Sequence, residues 1–133
     1  MIKLFLSTLL IKIFLISSLF AEIIKNVDIR GNIRISDETI LVLGDIDIGT
    51  NYKTDDLNNI VKKLYESEFF EDISLNLINN ILTINLIENP IIENIELTGI
   101  RSEQTTTKIL DAISLKNRKS FIEESLQKDL TLI

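Results

Sequence analysis

The sequence predicts an α+β fold made of two tandem small domains, each a three-stranded sheet with two helices on one face, the second copy incomplete. Three observations carry that reading. The string Ile23–Gly31 (IIKNVDIRG) returns 68 residues later as Ile91–Gly99 (IIENIELTG), with every apolar position kept apolar and the closing glycine retained. A repeat of that length exceeds a solenoid unit and indicates duplicated domains. Leu57, Ile60, Val61, Leu64 and Tyr65 fall at i, i+3, i+4, i+7 and i+8, the stripe of an amphipathic helix. The segments Ile73–Ile78 and Ile81–Ile87 alternate on either side of Asn79-Asn80, the pattern of a hairpin.

Residues 1–21 carry Lys3 and Lys12 among apolar residues and hydroxyls and end at Ala21. This is the pattern of a secretory signal peptide cleaved between Ala21 and Glu22. The uncharged apolar run after Lys12 is too short for the ~20 residues of a spanning helix. Glu22 onward is then exported, yet the chain has no cysteine, so stability rests on packing rather than on disulfides. A unit of about 70 residues buries only ~60% of its unfolded surface, so neighbouring units are expected to dock.

In the first unit, residues 22–90, a strand over Ile23–Ile29 places Ile23, Val27 and Ile29 on one parity, and Gly31-Asn32 ends it. Ser36 caps a short helix with Asp37 and Glu38 in its first turn, and Ile40, Leu41 and Leu43 form its apolar side. Gly44 and Gly49 bracket the exit loop. Thr54 caps the second helix, followed by the acidic pair Asp55 and Asp56. A two-residue loop at Asn79-Asn80 pairs Leu77 with Leu82, Leu75 with Ile84 and Ile73 with Leu86, and sets Asn76 opposite Thr83 and Ser74 opposite Asn85. A slip by one residue would bury Ser74 and Asn76, so the pattern selects the register. The order is β-α-α-β-β.

The second unit, residues 91–133, follows Pro90 with a strand over Ile91–Leu97, a helix over about Thr105–Ile113 and another beginning near Ser120. From Ile109 it matches the first unit at an offset of 69, Phe121 answering Tyr52 and Leu126 answering Leu57. The match ends within the second helix, before any hairpin.

Without residues 1–21 the chain holds 12 basic and 20 acidic residues, a net charge of −8. That balance argues against nucleic acid or anionic lipid as electrostatic partners. There is no His, Cys or Trp, which removes the commonest general base, nucleophile and zinc ligands, so no catalytic, cofactor or metal site is expected. The pairs Asp37/Glu38, Asp55/Asp56 and Glu123/Glu124 read as first-turn complements to helix dipoles. The stretch from Asp45 to Asp56 has a loose calcium-loop spacing but lacks the mid-loop glycine. Of Phe69-Phe70, one ring is expected in the core and the other partly exposed. What remains is edge chemistry: a three-stranded sheet has unpaired backbone groups along its outer strands, and an extended peptide can add there as a further strand.

Two phrases carry a family resemblance, Gly31-Asn32-Ile33-Arg34-Ile35-Ser36 and Glu88-Asn89-Pro90-Ile91-Ile92, with Glu38-Thr39-Ile40, Gly49, Tyr52, Leu64-Tyr65, Phe70 and Asp72 between them. Over Ile23–Ile133 the chain resembles the POTRA domains of outer-membrane β-barrel assembly factors. The resemblance implies a periplasmic arm that receives unfolded outer-membrane proteins, contacts accessory assembly lipoproteins and joins the outer membrane through a C-terminal barrel that residues 1–133 do not contain. It also implies that the unit's second strand, Ile73, Ser74, Leu75, Asn76, Leu77 and Ile78, is the peptide-binding edge, so that a proline at Asn76 would weaken capture. Glu68 stands where the family has glycine, which costs roughly 1 kcal/mol if that position needs φ > 0. Ile100 replaces the asparagine expected after Gly99. The alternatives are an inner-membrane-anchored division scaffold resembling FtsQ, against which the tandem repeat argues, and a stand-alone periplasmic peptide-binding module.

Overall fold

The computed structural model describes residues 22–132; the expected signal peptide and the Ala21 side of its cleavage site lie outside them. Nine elements follow in order: β1 (Glu22–Ile23), β2 (Asn26–Arg30), α1 (Asp37–Gly44), β3 (Asn51–Tyr52), α2 (Thr54–Glu66), β4 (Phe70–Ile78), β5 (Ile81–Glu88), α3 (Glu103–Ala112) and α4 (Glu123–Leu130). The main sheet runs β2-β5-β4, with β2 parallel to β5 and β4 antiparallel to it. Helices α1 and α2 pack on each other, and α2 also packs on β4.

The hairpin adopts the register dictated by its alternation, Ile73 opposite Leu86, Leu75 opposite Ile84 and Leu77 opposite Leu82. Asn79 and Asn80 both take positive φ, 53° and 66°, as the two central residues of a type I′ turn must. Leu82, Ile84 and Leu86 face inward onto Ile40, Ile60, Leu64 and Phe70 to form the buried core. Phe70 is buried and Phe69 is exposed at its edge, the two rings meeting T-shaped with centroids 6.4 Å apart.

The first strand departs from the continuous Ile23–Ile29 reading. It breaks at Ile24-Lys25, where the amides of Lys25 and Asn26 donate to the Asn80 carbonyl and Asn80 Nδ2 donates to the Ile23 carbonyl. The hairpin tip thus kinks the chain and resets its parity: Ile24 is completely buried and Ile23 is exposed. The residues before the kink pair with β3 instead, Glu22 opposite Tyr52 and Ile23 opposite Asn51.

Helix ends follow side-chain chemistry. Ser36 Oγ accepts from the Thr39 amide. At α2 the cap is Lys53 rather than Thr54, and it is the Asp56 carboxylate that accepts from the Lys53 amide at 2.8 Å. Gly44 is the last residue of α1, and the left-handed cap is Asp45 at φ 53°. Gly44 serves packing: a Cβ there would lie 2.9 Å from the Ile46 side chain and 3.2 Å from Ile60. Gly31 combines both needs, with φ +91° and a Cβ position only 2.0 Å from the Leu86 carbonyl oxygen.

Beyond Pro90 the expected strand Ile91–Leu97 is absent. Only a bridge between Ile91 and Ser120 forms, because no neighbouring strand among the described residues offers a ladder to the rest. The repeat survives in the backbone all the same. In the first unit Ile24 N donates to Thr50 O and Gly49 N to Ile24 O; at the matched positions Ile92 N donates to Lys119 O and Arg118 N to Ile92 O. Arg118 even copies the positive φ of Gly49, 63° against 92°. Helix α3 starts at Glu103, earlier than expected, with Ser102 as its cap, and α4 starts at Glu123, later than expected, after Ile122. An apolar groove of about 330 Å³ lies among Ile92, Ile95, Leu97, Ile113, Phe121 and Leu126.

Candidate functional site

The two phrases that mark the ends of the first unit meet in space. Glu88, the last residue of β5, turns its carboxylate onto the loop before α1: Oε1 accepts from the amides of Ile33 (2.8 Å), Arg34 (2.9 Å) and Ile35 (3.0 Å), and Oε2 from Arg34 Nε (2.9 Å). Its side chain is 5% exposed. Burial alone would push the Glu88 pKa up, but the amides of Ile35, Ile33 and Arg34 and the Arg34 guanidinium outweigh it and hold the group below its ordinary value. Arg34 also donates to the Asn89 carbonyl, and Asn89, itself buried, donates from Nδ2 to the Glu68 carbonyl and from its amide to Phe69. No local sequence pattern signals this latch, because Glu88 and Asn89 lie over 50 residues from the Ile33–Ile35 loop they hold; only the two phrases as a pair hinted at it.

Three other acidic residues hold polar partners of their own. Asp45 accepts from Lys63 Nζ, and that hydrogen bond and charge lower its pKa. Asp56, in the first turn of α2, accepts from the Lys53 amide. Asp129, 3% exposed, accepts from the amides of Ser114 and Leu115 and from Ser114 Oγ. Among the described residues no group of three His, Cys, Asp or Glu is placed to hold a metal ion.

The sheet has two outer strands, β2 and β4. On β2, five residues long, Arg30 pairs with Asp28, and charges along an edge oppose strand pairing. The strand β4 is nine residues long, with regular pairing over Asp72–Ile78, and Ser74 and Asn76 lie exposed on its outer face. Its backbone direction can be worked out. The two-residue turn makes Ile78–Ile81 a hydrogen-bonded pair, so alternation makes Asn76–Thr83 and Ser74–Asn85 the next bonded pairs. The amides and carbonyls of Ile73, Leu75 and Leu77 therefore point away from β5. The Ile73 amide bears this out, since it donates to the Tyr65 hydroxyl at 3.1 Å rather than to β5. This corrects the expectation for Asn76: its amide bonds Thr83 within the hairpin, so a proline there would damage the ladder rather than blunt the edge. The sequence reading treated Tyr65 as one more apolar position and missed the hydroxyl's role.

No family model matches the chain. The outer membrane protein assembly factor BamA of Neorickettsia risticii (strain Illinois) is 35% identical over 100 residues, 74% of this chain and 14% of that protein. BamA of Buchnera aphidicola subsp. Acyrthosiphon pisum (strain APS) is 27% identical over 101 residues, 74% of this chain and 16% of that protein. Among solved structures, the N-terminal domain of Omp85 from Thermosynechococcus elongatus superposes with a TM-score of 0.57 at 12% identity, over 83% of this chain and 48% of that one. POTRA1-3 of the periplasmic domain of Omp85 from Anabaena gives 0.54 at 13% identity, again over 83% and 48%. The chain thus carries the POTRA fold, as its residues led one to expect, and its sequence matches a small part of the length of its BamA relatives. Among the described residues no helix is long and apolar enough to cross a membrane.

Proposed function

We propose, from a POTRA fold joined to a sequence kinship with BamA, that this chain is a periplasmic POTRA module of an outer-membrane protein assembly factor and receives unfolded outer-membrane proteins by strand addition along β4. The observation that carries the reading is the regular stretch of β4, which directs the backbone groups of Ile73, Leu75 and Leu77 outward, beside a β2 of only five residues that includes the Asp28–Arg30 ion pair. Backbone pairing tolerates many sequences, which suits a module whose clients share only alternating ~10-residue strands. Accessory assembly lipoproteins would dock on the same arm, and attachment to the outer membrane would run through a barrel, both on the strength of kinship with BamA. The module does no covalent chemistry in this reading.

The test is a titration of the chain with a ten-residue peptide of alternating valine and threonine. Leu75→Pro removes an outward amide without touching the bonds to β5, and proline is tolerated on an outer strand when its nitrogen faces away from the sheet. Leu75→Ala controls for the lost side chain. Peptide affinity is expected to fall at least tenfold for Leu75→Pro relative to Leu75→Ala; equal affinities would overturn the reading.

A further inference from the structure

The edge of β4 is bounded at one end by a side chain. Tyr65, near the end of α2, accepts the Ile73 amide on its hydroxyl and donates that hydroxyl to Asp72 Oδ1 at 3.4 Å. One step further back, the register shifts between Phe70 and Asp72, so Glu71 is an extra residue that ends the regular edge. At the other end Asn79 and Asn80 turn the chain. Between these limits the groups without a partner among the described residues are the Ile73 carbonyl and both the amide and the carbonyl of Leu75 and of Leu77. An antiparallel strand exchanges two hydrogen bonds with each bonded partner, so complete exchange is available at Leu75 and Leu77 but not at Ile73.

We propose that Tyr65 is a positioning residue that sets the register of an added strand, by occupying the Ile73 amide and so confining complete pairing to Leu75 and Leu77. The inference rests on β4 being the client edge. Without the hydroxyl, Ile73 becomes a third complete partner and the paired stretch lengthens toward Asp72, where the bulge stops it. One additional hydrogen bond tightens binding by roughly 2- to 10-fold.

The test follows backbone amide exchange by NMR in the full chain, as wild type, Tyr65→Phe and Tyr65→Ala, with and without the valine–threonine peptide. The alanine variant removes the ring as well, in case the ring alone covers the amide. In the wild type the peptide is expected to slow exchange at Leu75 and Leu77 and leave Ile73 unchanged. Without peptide, Ile73 exchange is expected to quicken in Tyr65→Phe; with peptide, Ile73 joins the slowed set in both variants, and affinity rises 2- to 10-fold in Tyr65→Phe. A loss of stability alone would speed exchange broadly and would not create peptide-dependent protection at one amide. The proposal is overturned if the peptide slows Ile73 in the wild type, or if Ile73 stays unprotected in both variants while Leu75 and Leu77 are slowed. No slowing anywhere along β4 in any of the three proteins overturns the client-edge reading and this inference with it.

Discussion

Glu68→Gly is expected to make the protein more stable, an unusual direction for a substitution that deletes an entire side chain. Glu68 sits at φ 62°, just past Ser67, the C-cap of α2. Among the described residues four other non-glycine residues share the left-handed region, but three of them, Asp45, Asn79 and Asn80, are of types that tolerate it. A left-handed backbone costs an ordinary L-residue roughly 1–2 kcal/mol. Glycine loses about 0.5–1 kcal/mol more chain entropy on folding, which leaves a net gain of ~0.5–1 kcal/mol. For a domain of this size that corresponds to a rise of roughly 2–8 °C in Tm. The hydrogen bonds at this residue involve its backbone, with its amide donating to Tyr65 O and its carbonyl accepting from Asn89 Nδ2, so glycine keeps them. Glu68→Ala is the control: it removes the charge but keeps the Cβ, and is expected within about 0.5 kcal/mol of wild type. Urea melts of the three proteins measure the differences. A Glu68→Gly protein no more stable than Glu68→Ala would refute the strain argument.

Leu64→Ala, at a completely buried side chain, is expected to cost ~2–5 kcal/mol, whereas Ser74→Ala on the exposed sheet face should stay within about 0.5 kcal/mol; equal losses in urea melts would reject the assignment of faces. Gly31→Ala, which sets a Cβ against the Leu86 carbonyl at positive φ, is expected to cost at least ~3 kcal/mol, seen as a lowered urea midpoint. Glu88→Gln halves the acceptors of the latch and should cost ~1–3 kcal/mol at neutral pH. Because the folded pKa of Glu88 lies below its unfolded value of about 4.3, its contribution is complete above that value and is lost as pH falls through the folded pKa. The wild type is therefore expected to lose its advantage over Glu88→Gln on acidification below about pH 4, and a constant gap from pH 7 to pH 2 would contradict the latch.

How far the residues alone disclose the molecule depends on the range of the interaction. The hairpin was readable because period-two alternation and a two-residue turn admit one register, and the Ser36 cap because its partner lies three residues away. The kink at Ile24-Lys25 was not, since the hairpin tip that causes it is more than 50 residues distant and the apolar run Ile23-Ile24 has no parity of its own. The strand over Ile91–Leu97 had the right alternation and lacked a neighbour to pair with, a condition no local pattern reports. At the candidate site, β4 as the outer strand came from family resemblance, but the direction of its amides and the Tyr65 hydroxyl required the three-dimensional register. Sequence periodicity sees a tyrosine's ring and is blind to where its oxygen lands.

The Glu88-Asn89 latch bears on how this part of the chain transmits force. Bending the chain at its exit from the sheet would first tear Asn89 from Glu68 and Phe69 and Arg34 from Asn89, bonds that also close the first unit's own loops. The joint before Pro90 therefore resembles the root of a clamped beam more than a link in a chain. A load applied at the far side of Pro90 would be felt in the turn before α1, through the bond from Arg34 to the Asn89 carbonyl.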